Sequence, residues 1–211
     1  MSQPIDFDEL VVQMARLSKG PERRIVALAG PPGAGKSHLS ALLLERLQVV
    51  MPGGATILPM DGYHYDDLIL RPRGDLARKG APHTFDVGGL KSTIARVAVA
   101  DVPVAVPVFD RSLEIARAGA RIIGPDVPLV IVEGNYLLLK DPAWLALEPY
   151  FDMTVMIDVP EAVLRKRLLR RWAHLPKDEA EAKVAQNDLI NMQQVLANSR
   201  PADFTLNNSA E

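Results

Sequence analysis

The chain has 211 residues, 48% of them hydrophobic, and a formal net charge of -2. That length suffices for one α/β domain with a sizeable core, the charge gives no pull toward nucleic acid or a membrane surface, and zero cysteines exclude a disulfide framework and any thiolate metal site. No apolar run approaches the roughly 20 residues of a membrane span, and the acidic first residues lack the basic start of a signal peptide, so a cytoplasmic protein is expected.

Between Asp6 and Lys19, the residues Leu10, Val11, Met14 and Leu17 recur at helical spacing, and Gly20-Pro21 closes the segment. Arg24-Ile25-Val26-Ala27-Leu28-Ala29 reads as a buried strand. It runs into Gly30-Pro31-Pro32-Gly33-Ala34-Gly35-Lys36-Ser37, which fits G-x-x-x-x-G-K-[ST] at every fixed position. The glycines let backbone N–H groups approach phosphate oxygens closely. In that pattern Lys36 reaches the β- and γ-phosphates of ATP, and the Ser37 hydroxyl ligates Mg²⁺. Leu39, Leu42, Leu43 and Leu47 supply the helix that must follow, whose N-terminus also favours the anion. Gly30, Gly33, Ala34, Gly35, Lys36, Ser37 and His38 are therefore the candidate nucleotide-binding residues.

Ala55 to Met60 reads as a second strand and leads into Asp61-Gly62-Tyr63-His64-Tyr65. A carboxylate there lies beside the phosphate loop, where Asp61 would accept a proton from an attacking hydroxyl. An aspartate before glycine also suits a plain turn cap. Tyr63 and His64 are candidates for a substrate pocket, and the polar, turn-rich stretch from about 62 to 86 is expected to leave the sheet. Val87 to Ala100 reads as a helix. Val102 to Phe109 reads as a strand that Pro103 and Pro107 place near an edge.

Pro128 to Glu133 is a continuous apolar run, as expected of a central parallel strand. Its terminal Glu133 is costly there unless it meets a cation, for which Mg²⁺ is the candidate. Met153 to Asp158 is another such strand. Pro160 to His174 reads as a basic helix with proline in its first turn. Arg167, Arg170 and Arg171 share one face of it, opposite Leu164, Leu168 and Trp172, and such a face near a triphosphate stabilises charge on the transferred phosphoryl group. Asp178 to Asn198 reads as one further helix and Phe204 to Leu206 as a last strand. The alternation predicts a doubly wound, mostly parallel α/β sheet with helices on both faces and a helical lid near 165–178, all in a single domain over 1–211. Ligands then bind outside the carboxyl ends of the strands.

The phosphate loop, Met60-Asp61-Gly62-Tyr63-His64-Tyr65, Arg78-Lys79-Gly80-Ala81-Pro82-His83-Thr84-Phe85-Asp86 and Val132-Glu133-Gly134-Asn135-Tyr136-Leu137-Leu138 together resemble the P-loop kinase family of uridine kinases, phosphoribulokinases and pantothenate kinases. The chain is also similar to bacterial proteins described as fructose-transport-system kinases. The resemblance implies Asp61 as general base, Asp86 on a substrate hydroxyl with Arg73 or Arg78 nearby, Ser37 and Glu133 on Mg²⁺, and Arg167 and Arg170 as lid arginines on the phosphates. It implies a kinase that phosphorylates a hydroxyl of a small metabolite, a sugar such as fructose first, with pantothenate- or nucleoside-type acceptors as the alternative. A homodimer is compatible with the family. Phe109-Asp110-Arg111-Ser112 departs from it, because phenylalanine stands where relatives carry tyrosine and no histidine follows as in uridine kinases. A second class stays open, a regulatory NTPase attached to a transport system. The Arg71–Asp86 excursion, which a pure switch does not need, separates the two.

Overall fold

A computed structural model describes residues 2–209. Six strands, β1 (Gln3–Ile5), β2 (Arg24–Ala29), β3 (Ala55–Pro59), β6 (Leu129–Gly134), β7 (Met153–Asp158) and β8 (Phe204–Asn207), form one sheet in the order β1-β8-β7-β2-β6-β3. Every pairing in it is parallel. The remaining strands, β4 (Val104–Asp110) and β5 (Ile115–Ile123), pair antiparallel as a separate hairpin. Helices α1 (Phe7–Leu17), α2 (Lys36–Val50), α3 (Asp67–Arg73), α4 (Val87–Val99), α5 (Pro142–Leu145), α6 (Glu161–Arg171), α7 (Lys177–Lys183) and α8 (Leu189–Asn198) complete the regular structure.

Side chains of β2 alternate between two cores, as a pleated strand buried on both faces requires. Val26 and Leu28 pack with Leu10 and Met14 of α1, Leu43 and Leu47 of α2 and Leu164 of α6. Ile25, Ala27 and Ala29 face the other way, toward Leu90 and Ile94 of α4, Val104 and Val106 of β4, Trp144 of α5 and Val195 of α8. Helices thus cover both faces. Among the described residues, no helix is long and apolar enough to cross a membrane.

Two expectations need correction, and one strand lies outside those read from the sequence. Gln3–Ile5 is a strand, paired with Phe204–Leu206, although three residues are too few to show a period. Val104–Asp110 belongs to the hairpin rather than to an edge of the main sheet, and its register slips between Val106 and Val108, at Pro107, which has no N–H for the ladder. The helix read over Asp178–Asn198 starts at Lys177 and is divided by a π-turn at Val184–Asp188 between α7 and α8.

Register places the site. Leu28 of β2 and Pro59 of β3 both stand opposite Glu133 of β6. The phosphate loop begins two residues after Leu28, and Asp61 follows two residues after Pro59. Loop, glutamate and aspartate therefore emerge together at the carboxyl ends of neighbouring strands.

Candidate active site

The loop and the strand ends floor a cleft of about 980 Å³, whose other wall comes from α6, α7 and the π-turn. Gly35 precedes α2 with φ 84, in the left-handed region that glycine enters without steric cost. No side chain caps the N-terminus of α2. Its first amides, carrying the positive end of the helix dipole, suit an anionic ligand.

Lys36 directs Nζ to the Pro31 carbonyl at 3.1 Å. Burial lowers its pKa to about 8, against the opposing pull of Glu133 and Asp61. Phosphate binding needs the charged amine. Nucleotide affinity is therefore expected to fall as the pH rises through about 8, and to stay flat over that range in Lys36→Ala. Nucleotide titrations at pH 7, 8 and 9 check this.

Glu133 is buried at 7% exposure. Its oxygens receive the Ser37 hydroxyl at 3.2 and 3.3 Å. Burial and the nearby Asp61 charge raise its pKa, while Lys36 and Ser37 pull the other way. A divalent cation at this hydroxyl–carboxylate pair would relieve both penalties, so the donors fit Mg²⁺. Among the described residues no cluster of three His, Cys, Asp or Glu side chains holds a metal by itself.

Asp61 is reached by Arg111, whose guanidinium donates to Oδ2 at 2.6 Å. Burial alone would raise the Asp61 pKa. His64 when protonated, Arg111, Lys36 and Arg171 more than offset it and hold the carboxyl below its usual range. The His64 ring lies against Phe85 and Phe109, with centroids 4.1 and 4.6 Å away, and its Nδ1 is 2.7 Å from the Asp61 carbonyl. Burial lowers the His64 pKa. Gly62 allows this arrangement, because a Cβ there would stand 2.4 Å from the Pro107 carbonyl oxygen of the hairpin.

The sequence-predicted residues divide into two groups. Gly33, Gly35, Lys36, Ser37, His38, Asp61, His64, Glu133 and Arg167 line the cleft. Gly30 and Ala34 shape the loop from behind. A Cβ on Gly30 would meet Ile157 at 3.1 Å, and the Ala34 carbonyl accepts from the Asn208 amide at 2.8 Å. Tyr63 is a core residue, 7% exposed. Asp86 is exposed and caps α4 through the Gly89 amide at 2.8 Å, the local job that suits an aspartate before a helix. Arg73 stacks over Tyr65 at 4.9 Å, and Arg78 donates to the Gln186 carbonyl and to Asn191 at 2.6 and 3.0 Å. Arg170 is exposed at the end of α6 and does not line the cleft; Arg171 does.

Arg111, Lys79 and Asn208 are not among the site residues read from the sequence, whereas Arg171 is read there on the same cationic face as Arg167. Arg171 follows Arg167 by four positions and so shares its helix face, which is a readable signal. Arg167 also bridges to the Gly33 carbonyl at 3.4 Å and the Asn208 carbonyl at 3.0 Å, tying lid, loop and the segment after β8 together. Arg111 had only its departure from the family pattern to mark it.

No family model matches the chain. A Schizosaccharomyces pombe protein named "Putative uridine kinase" is 31% identical over 212 residues, spanning 95% of this chain and 89% of its own length. The pantothenate kinase of Limosilactobacillus fermentum is 28% identical over 177 residues, covering 81% of this chain and 57% of its own length. Among solved structures, a "putative fructose transport system kinase" from Silicibacter sp. superposes with a TM-score of 0.88 at 40% identity, over 95% of this chain and 98% of that one.

Proposed function

The chain belongs to the uridine kinase and pantothenate kinase family of P-loop kinases, and from that premise we propose that it transfers the γ-phosphoryl group of ATP to a hydroxyl of a sugar or sugar-like alcohol such as fructose. The observation that carries the reading is the convergence of Lys36, the Ser37–Glu133 pair and the ionised Asp61 in one cleft.

The phosphate loop and Lys36 hold the β- and γ-phosphates. Ser37 and Glu133 would hold Mg²⁺, which supplies charge neutralisation on the phosphates. Asp61 orients the acceptor hydroxyl and takes its proton as the oxygen bonds to the γ-phosphorus. The bond from that phosphorus to the β–γ bridging oxygen breaks, and ADP leaves. Arg167 and Arg171 face the cleft from α6 and stabilise the charge on the phosphoryl group in flight. The lid side of the cleft limits access of water, which would otherwise hydrolyse ATP.

The test is a coupled ADP-release assay with ATP and Mg²⁺ against sugars, polyols, nucleosides and pantothenate. One acceptor that stimulates release strongly, with recovery of its phosphorylated product, is the expected result. Slow release that no acceptor stimulates, but that a protein from a transport system does, would overturn the kinase reading in favour of a regulatory NTPase.

A further inference from the structure

Arg111 stands at the turn between β4 and β5, and its side chain is 53% exposed. Among the described residues its one close ion pair is with Asp61. Asp110 is engaged with the Ser112 hydroxyl at 2.6 Å and faces Arg117 at 3.6 Å. Lys79, the other cation on this side of the cleft, is already matched by Asp67 at 2.6 Å and the Glu114 carbonyl at 2.7 Å. Among the described residues the guanidinium of Arg111 forms one ion pair, with Asp61, the group read above as the general base; Glu133 also feels its charge but is engaged by the Ser37 hydroxyl.

That pairing cannot survive the reaction unchanged. Once Asp61 has taken the acceptor proton it is neutral, and Arg111, which keeps its charge, loses that ion pair. A guanidinium is a planar fork whose best partner is a carboxylate or a phosphate, held through two parallel N–H···O bonds. The hydroxyls of a neutral sugar do not match it in charge.

We propose that Arg111 is the receptor for an anionic group on the acceptor, which narrows the sugar reading above to its charged members, a sugar-derived hydroxy acid or a sugar phosphate. This rests on the kinase reading and on Asp61 as its base. In the unliganded chain Asp61 occupies the place of that anion. The arriving acceptor takes over the guanidinium and delivers its hydroxyl to the carboxylate so released, which couples recognition of the acceptor to exposure of the base.

Matched pairs test it: fructose against fructose 1-phosphate, and glucose against gluconate, in the ADP-release assay and by calorimetric binding. The charged member of one pair is expected to lead in kcat/KM by about tenfold or more. Preference within the gluconate pair assigns a carboxylate, and preference within the fructose pair assigns a phosphate. In Arg111→Gln that preference disappears through a rise in KM for the charged member of about tenfold or more. The KM for ATP stays unchanged, and Arg111→Lys retains part of the preference.

A neutral member preferred by the wild type overturns the proposal and leaves the kinase standing. An Arg111→Gln variant that slows both members equally in kcat also overturns it, reducing Arg111 to a positioning residue for Asp61. If neither pair is phosphorylated, calorimetry decides. Binding of gluconate or fructose 1-phosphate by wild type that is lost in Arg111→Gln supports the anion receptor, and no binding of either overturns it.

Discussion

Asp61→Asn is expected to lower acceptor-dependent turnover by about 10²–10⁴-fold, the range that a positioned general base contributes. Asparagine keeps the shape of the side chain and loses the proton acceptor. Because His64 when protonated, Arg111, Lys36 and Arg171 together hold the Asp61 carboxyl below its usual range, wild-type Asp61 stays ionised across the neutral region, and any acid limb of the rate from this group falls below the ordinary carboxylate value. The variant should bind ATP as wild type does, since the phosphates lie on the loop. Rate against acceptor concentration, measured beside nucleotide affinity, separates the two effects. Turnover unchanged in Asp61→Asn would remove the base from the mechanism.

Lys36→Ala is expected to cost on the order of 10²–10³-fold in turnover, as loss of one preorganised charge at a developing anion does. Its stability effect has the opposite sign. The folded pKa of Lys36 is about 8, against an ordinary 10.5. Between those values the unfolded chain binds the extra proton, so the group's contribution to stability rises with pH there, and below about 8 the charged, buried amine is a cost. Without nucleotide at pH 7, the alanine variant should therefore melt no lower than wild type. Thermal melts with and without ATP check it: wild type gains from the nucleotide and the variant gains little. A variant that melts well below wild type without ligand would assign the lost activity to a collapsed loop instead.

What could be read from residue order follows from range. The phosphate loop is eight consecutive positions between a strand and a helix, so its chemistry and its placement are visible together. Asp61 and Glu133 were legible because each ends an apolar strand, and parallel register brings such ends to one rim. Arg111 was not, because it acts on a partner fifty positions earlier across a separate hairpin. The second strand of that hairpin, Ile115–Ile123, is mostly exposed and gives almost no apolar alternation to detect. On α6 the cationic face was legible from spacing, and Arg167 and Arg171 of it line the cleft while Arg170 does not. Asp86 shows a different competition, since the aspartate read as a ligand from family resemblance is used locally as a helix cap.

The β4–β5 hairpin shares no ladder with the parallel sheet and meets it through packed side chains and single hydrogen bonds, such as that from Arg121 to the Ile57 carbonyl. It therefore behaves as an exchangeable cartridge. Its exposed positions can drift without disturbing the backbone ladder that fixes the phosphate loop and Glu133, provided its buried face is kept. Phosphoryl chemistry and acceptor choice are inherited as two separable traits in such a molecule. An engineer seeking a new acceptor would diversify the exposed hairpin residues around Arg111 and keep Val104, Val106 and Ile123, which are buried in the core.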